Sequence, residues 1–258
     1  MQGIVSNRCD YEQATRWGAY WTKKLAVDFA KEKGIPVVDL YAALATRSNW
    51  FAEIEGKDAI FVNGVGHGNA TVYTGQNQEI LLCSAYADDL VLMNGRWGSF
   101  LSCEFGKAGP AFVNAGMKGF FGYSETYWFE ISEFPNDVAE FFFGSHYTFD
   151  QGVIAASSYT SAFAKTKAVY DAAIAQADPV TARYLIWDRD CMVMYGDVNS
   201  GPYYQGPPAE TKKCYWCNYE TDNMPLMLAH ICEEHCYLKP QRPAWCRIFG
   251  NLVGCPLP

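Results

Sequence analysis

Apolar residues along this chain arrive in two rhythms. Unbroken runs at 3–6, 35–41, 59–65 and 118–123, with another that ends at Cys103, read as strands buried on both faces. Between them lie stretches with helical spacing: 12–33, where Trp17, Tyr20, Trp21, Leu25, Val27 and Phe29 recur until Gly34 and Pro36 stop the pattern, then 42–55 and 107–115. After residue 70 a polar, hairpin-like segment leads into 85–93. Strand alternating with helix predicts an α/β fold with a mostly parallel sheet covered on both faces. Further on, alanine-rich 151–177 predicts one long helix, and 185–197 a late strand. GPYYQGPP at 201–208 reads as a linker, which divides the chain into a main domain, 1–205, and a small module, 206–258.

Two of the apolar runs stop at reactive residues. AIFVNGVGHG, 59–68, ends at His67, and GSFLSCEFG, 98–106, reaches Cys103. Open α/β sheets bind ligands at the carboxyl ends of their strands, which is where both side chains fall. A thiol needs a proton acceptor to attack a carbonyl, and the developing oxyanion needs donors. His67 supplies the first, and the amides of Gly68 and Cys103 are placed to supply the second. Either residue alone is more often a buried cysteine or a turn histidine; their shared position at two strand ends sets the pair apart. His146, in GSHYTF, follows no apolar strand and ranks behind His67 as a base, while Asp39, late in the second run, could orient the imidazole.

Composition narrows the field. With 258 residues, half of them apolar and 16% aromatic, the chain can bury a sizeable core. Its net charge of −8 and its scattered 20 Lys and Arg argue against nucleic acid as a partner. No apolar run has the length of a membrane span, and MQGIVSNRCD lacks the order of a signal peptide. A soluble, cytoplasmic protein is the expectation.

The tail carries a third pattern. Cys214 and Cys217 bracket two residues, twelve separate Cys217 from His230, and four separate His230 from His235. Cys-x2-Cys-x12-His-x4-His suits tetrahedral zinc, with a short helix from about Leu226 bearing both histidines. Cys236 is the alternative fourth ligand. Four protein ligands leave no open position, so this zinc is structural. Glu220, Asp222, Glu233 and Glu234 offset Lys212 and Lys213, which favours a protein partner over DNA. A disulfide-linked tail is the competing arrangement. No residue pattern supports calcium as a second ion.

The two blocks, an apolar run then HG and an apolar run then SC, resemble the paired signature of caspase-like cysteine peptidases, most of all the gingipain group. There the histidine lies in a GHG turn, as at Gly66, His67 and Gly68, and the nucleophile follows an apolar strand, as at Leu101, Ser102 and Cys103. KGFFGYSETYW at 118–128 is similar to that group's strand and tryptophan-bearing pocket loop, and MYGD at 194–197 to its terminal block, with Val198 in place of proline. The resemblance implies a three-layer caspase-like sandwich and peptide hydrolysis. The caspase consensus QACxG is absent, since Ser102 precedes Cys103 and Glu104 follows it, so aspartate specificity is not implied. It points to Asp10 as the pocket residue for a basic side chain, with Trp128 as a wall and Glu125 as a second acid; Arg8 would instead suit an acidic side chain, and Asp10 could simply cap the first helix.

The expectation is therefore a cysteine endopeptidase acting on protein or peptide, with a zinc-finger-like module for a protein partner. Two rivals share the fold: an inactive scaffold, and a transpeptidase that passes the thioester to an amine.

Overall fold

The apolar runs lie side by side in one sheet. The structure, a computed structural model, describes residues 3–130, 137–206, 212–213 and 220–221. In chain order the elements are β1 (Ile4–Arg8), α1 (Gln13–Thr22), a π-helical turn (Lys23–Val27), α2 (Asp28–Glu32), β2 (Val37–Tyr41), a 3-10 turn (Ala42–Leu44), α3 (Arg47–Gly56), β3 (Phe61–Val65), β4 (Val72–Thr74) and β5 (Ile80–Cys83). There follow α4 (Ala87–Met93), β6 (Trp97–Leu101), a 3-10 turn (Phe105–Ala108), α5 (Gly109–Asn114), β7 (Gly119–Tyr123), α6 (Asp137–Ile154), α7 (Tyr159–Gln176), α8 (Pro179–Cys191) and β8 (Met192–Gly196). The chain divides into two compact units, Met1–Tyr204 and Gln205–Pro258. In the second, the described residues include an antiparallel pair, β9 (Lys212–Lys213) and β10 (Glu220–Thr221). The zinc-site residues Cys214, Cys217, His230, His235 and Cys236 lie outside the described residues.

The six-stranded sheet has the order β2-β1-β3-β6-β7-β8, parallel except for β8. All five residues of β1, β3, β6 and β7 are buried, which is why those runs are unbroken, whereas the edge strands β2 and β8 are partly exposed. Register sets three rows on one face: Ile4, Phe61 and Trp97; then Ser6, Asn63 and Ser99; then Arg8, Val65 and Leu101. That face packs against α1 and α6, with residues such as Trp17, Trp21, Phe143 and Tyr147. The other face, with Val5, Val62, Phe100 and Phe120, packs against α3, α4 and α5. The result is helix, sheet, helix.

Three sequence expectations need correction. The single helix at 151–177 is two, α6 and α7, broken where Ala156 takes φ 64° and Ser158 caps α7 by accepting from the Ser161 amide at 3.2 Å. Alanine content signals helix but is blind to such a cap. Most of the late strand at 185–197 is α8, started by Asp178, whose carboxylate accepts from the Val180 amide at 2.8 Å, with Pro179 in the first turn; β8 begins at Met192. The helix at 42–55 starts properly at Arg47, with Thr46 as its cap. The hairpin-like segment is a true antiparallel pair, β4 with β5.

Candidate active site

The chain passes from β1 out to β2 and returns to the opposite side of β1 as β3, so the sheet's order reverses between β1 and β3. Loops leaving the carboxyl ends on either side of such a reversal part and leave a crevice. His67 follows β3 and Cys103 follows β6, the next strand over. Their loops touch. The Gly66 amide donates to the Leu101 carbonyl at 3.2 Å, and a Cβ built on Gly68 would lie 2.1 Å from Ser102 Oγ and 3.1 Å from the Cys103 carbonyl oxygen. Glycine at 68 is thus what lets the histidine loop close on the cysteine loop.

Between these loops lies a cavity of about 160 Å³, walled by Ala14, Val65, Leu101, Tyr127, Phe129 and Phe143 and reached by His67, Ser102 and Cys103. Cys103 is half-buried, with its Sγ 4.0 Å from the Tyr127 carbonyl oxygen. Burial pushes its thiol above the ordinary range; the Tyr127 carbonyl opposes this, while Asp188 and Glu104 add to it. A base is therefore needed to make the thiolate. Glu104 itself takes the left-handed conformation, φ 57°, and turns its carboxylate to Lys107 at 3.1 Å.

The imidazole has a partner that sequence reasoning missed. His67 Nε2 lies 2.5 Å from Glu12 Oε1. This contact takes up Nε2 and leaves Nδ1 as the other ring nitrogen. Glu12 is the N-cap of α1, its amide donating to Thr15 Oγ1 at 3.3 Å, so the start of the first helix is where the histidine's carboxylate comes from. A carboxylate opening the helix after β1 was the available signal. Its weight depended on knowing that β1 lies beside β3. Asp39, which by sequence could have oriented the ring, is instead paired with Arg8 at 2.6 and 2.9 Å.

The amides proposed for the oxyanion also have a definite placement. Bonds from Thr74 N to His67 O and from Asn69 N to Val72 O, both 3.0 Å, flank the bridge between Gly68 and Tyr73. Gly68 is thus in the non-hydrogen-bonded position, with its N–H directed away from β4. Among the described residues no backbone carbonyl accepts from the amide of Gly68 or of Cys103.

The structure brings together His67, Gly68 and Cys103; it places the expected pocket residues elsewhere. Asp10 accepts from the Tyr41 hydroxyl at 2.5 Å while its amide donates to Gln76 Oε1 at 3.0 Å, and it is not the helix cap. Glu125 faces Lys107 at 3.4 Å. Trp128 points into a separate groove, and the neighbouring Tyr127 and Phe129 form the wall it was expected to form. The described cavity lining contains no Asp or Glu. Arg8 is buried and spent on Asp39 and on the Ala19 carbonyl at 3.0 Å. His146 is fully buried in α6, its Nδ1 3.0 Å from the Tyr123 hydroxyl, and burial pushes its pKa down to about 3. It is a neutral core group beyond the reach of a substrate.

Among the described residues no three His, Cys, Asp or Glu side chains gather as a metal set, and no helix is long and apolar enough to cross a membrane. No protein-family model matches the chain, and no curated protein matches it.

Proposed function

We propose that this chain is a cysteine endopeptidase of the caspase-like kind, its thiol Cys103 and its base His67. The observation that carries the reading is the closure of the Gly68 loop, after β3, on Ser102 and Cys103, after β6, beside the reversal point of the sheet and over an apolar cavity. In the reaction His67 takes the Cys103 proton and Sγ bonds to the peptide carbonyl carbon. The oxyanion falls to the Gly68 and Cys103 amides. The C–N bond then breaks, the amine leaves with the proton from the imidazolium, and a thioester remains. Water, losing its proton to His67, attacks the thioester and releases the carboxylic acid and the thiol. Glu12 holds the ring and stabilises the imidazolium that forms in each half.

The apolar lining favours an uncharged side chain before the cut. The basic preference that Asp10 or Glu125 would confer has no acid in the described lining to carry it. Zinc remains part of the proposal as a structural ion on Cys214, Cys217, His230 and His235, serving a protein partner.

A fluorogenic peptide panel varying the residue before the cut, run on the full chain and on Cys103→Ala and His67→Ala, tests the reading. Cleavage is expected with apolar residues and is lost in both variants, and an acyloxymethyl ketone adds its mass to the wild-type protein and not to Cys103→Ala. Turnover that survives in Cys103→Ala, or a panel with no turnover at all, overturns it; ligated product in place of hydrolysed product reassigns the thioester to transpeptidation.

A further inference from the structure

The segment after β7 has two working sides. Tyr127 and Phe129 face the thiol cavity, while Thr126 and Trp128 face a groove of about 420 Å³ completed by Arg183, Tyr184 and Trp187 of α8. This is the alternation of an extended chain, and it makes the segment a partition between two spaces. It is strapped to α8 from both sides. The Trp128 amide donates to Asp188 Oδ1 at 2.9 Å, and Trp187 Nε1 donates to the Thr126 carbonyl at 2.9 Å.

Three ring faces there are open to solvent: Trp128 and Trp187 are each 46% exposed and Tyr184 40%. Trp128 and Tyr184 lie 5.5 Å apart at 37°. Exposed aromatic clusters of this kind mark binding surfaces, and rings fixed beforehand lose little freedom when a ligand arrives. Arg183 supplies the charge. Other cations here are paired, Arg189 with Asp171 and Asp190, and Lys107 with Glu104 and Glu125, yet among the described residues Arg183 has neither an acidic partner nor a ring beneath it. Its position four residues before Trp187 sets it on the same side of α8, and it lines the groove with Tyr184.

We propose that this groove binds an aromatic side chain together with an adjacent carboxylate, the chemistry of an aromatic–acidic pair in a peptide. The ring stacks on Trp128, Tyr184 and Trp187, and the guanidinium takes the carboxylate in its planar fork. A basic side chain would meet Arg183 and be refused. The inference rests on the peptidase reading for its purpose: a peptide lying across the partition would offer a carbonyl to Cys103 on one side and this pair to the groove on the other.

The binding itself can be measured without turnover. Full-length Cys103→Ala protein is titrated with capped Phe-Glu, Phe-Gln, Phe-Lys and Ala-Glu dipeptides, following tryptophan fluorescence. Phe-Glu is expected to saturate, with Phe-Gln and Ala-Glu at least about tenfold weaker and Phe-Lys weaker still. Adding Arg183→Ala should bring Phe-Glu down to the level of Phe-Gln, and Arg183→Lys should restore part of the difference. The near-ultraviolet circular dichroism of Arg183→Ala should match that of the parent, which shows that its weaker binding does not come from loosened straps at Thr126 and Asp188. Equal affinity for Phe-Glu and Phe-Gln, an unchanged Arg183→Ala, or no saturation by any peptide overturns the proposal. Because the thiol is absent throughout, saturation by Phe-Glu stands even if no peptide is ever cleaved, and the two readings fail separately.

Discussion

The two faces of the sheet bury comparable side chains to different ends. On the face covered by α3, α4 and α5 the aromatic rings close on one another: Tyr73–Phe100 at 5.1 Å, Phe100–Phe105 at 5.2 Å, Phe105–Phe120 at 5.6 Å. The fully buried Asp89 is matched there, taking Arg47 Nη1 at 3.1 Å and the Cys83 amide at 2.6 Å, while the Trp50 indole nitrogen and Asn7 Oδ1 find no partner among the described residues. On the face covered by α1 and α6 the middle row is polar, Ser6, Asn63 and Ser99, with Asp150 of α6 set against it and Asn63 Nδ2 donating to Asp150 Oδ2 at 2.6 Å. The Ser6 hydroxyl and the Asn63 carbonyl oxygen find no partner among the described residues. Directly above, the row containing Val65 and Leu101 floors the thiol cavity. Both faces leave polar atoms unmatched, but one is a footing of packed rings and the other sets a whole polar row beneath a site. Buried polar groups without full partners cost stability, which native folds keep where they serve a use.

That contrast can be broken from either side. The largest effect is expected on the packed face: Phe105→Ala should remove roughly 3–5 kcal/mol from stability, seen in urea unfolding, because a cavity opens where four rings meet. KM of the folded fraction should hold; a changed KM would mean that the faces are not separable. Next comes Asp150. Burial pushes its pKa up to about 7, with Ser99 and Asn63 pulling the other way. An unfolded carboxyl titrates near 4, so the folded state holds the proton more tightly: this contribution is fully present below about pH 4 and is lost as pH rises to about 7. Asp150→Asn cannot ionise, so its stability relative to wild type should climb by up to roughly 4 kcal/mol between those limits and then level off. A difference that is flat with pH would place the ionisation elsewhere.

The smallest effect is at the site itself. Both Glu12 and His67 are about two-fifths exposed, so Glu12→Gln should leave stability within roughly 0.5 kcal/mol. It should lower kcat about tenfold with KM little changed, the sign of a residue that acts through His67. An unchanged kcat in Glu12→Gln, or a loss that falls on KM instead, would show that the carboxylate does not act through His67.

What could be read in the sequence follows the range of the interactions. His67 and Cys103 were legible because burial on both faces makes a strand a continuous apolar run, and the ends of such runs are where ligands bind. Asp178 and Pro179 are a local start signal for α8, whereas the apolar residues after Leu185 read as a strand. Glu12 was not legible as the partner of His67, since 55 residues separate them and the strand order joins them. The same holds for Tyr127 and Phe129 as cavity walls. Their neighbour Trp128 has the stronger look of a pocket residue, and strict alternation along the partition turns it the other way.

The π-helical turn at Lys23–Val27 bears on how this chain can vary. Thr22, Ala26 and Ala30 are buried at intervals of four, a spacing that drifts around a regular α-helix and is taken up by the wider turn. The first helical run thus carries one residue beyond α-helical need. Losing a single residue from Lys23–Val27 would tighten the turn and leave Trp17 and Trp21 in place, whereas the same deletion earlier in α1 would rotate everything between it and Glu12. Length changes among descendants of this sequence are expected to collect in those five residues and to spare the turn that anchors the histidine.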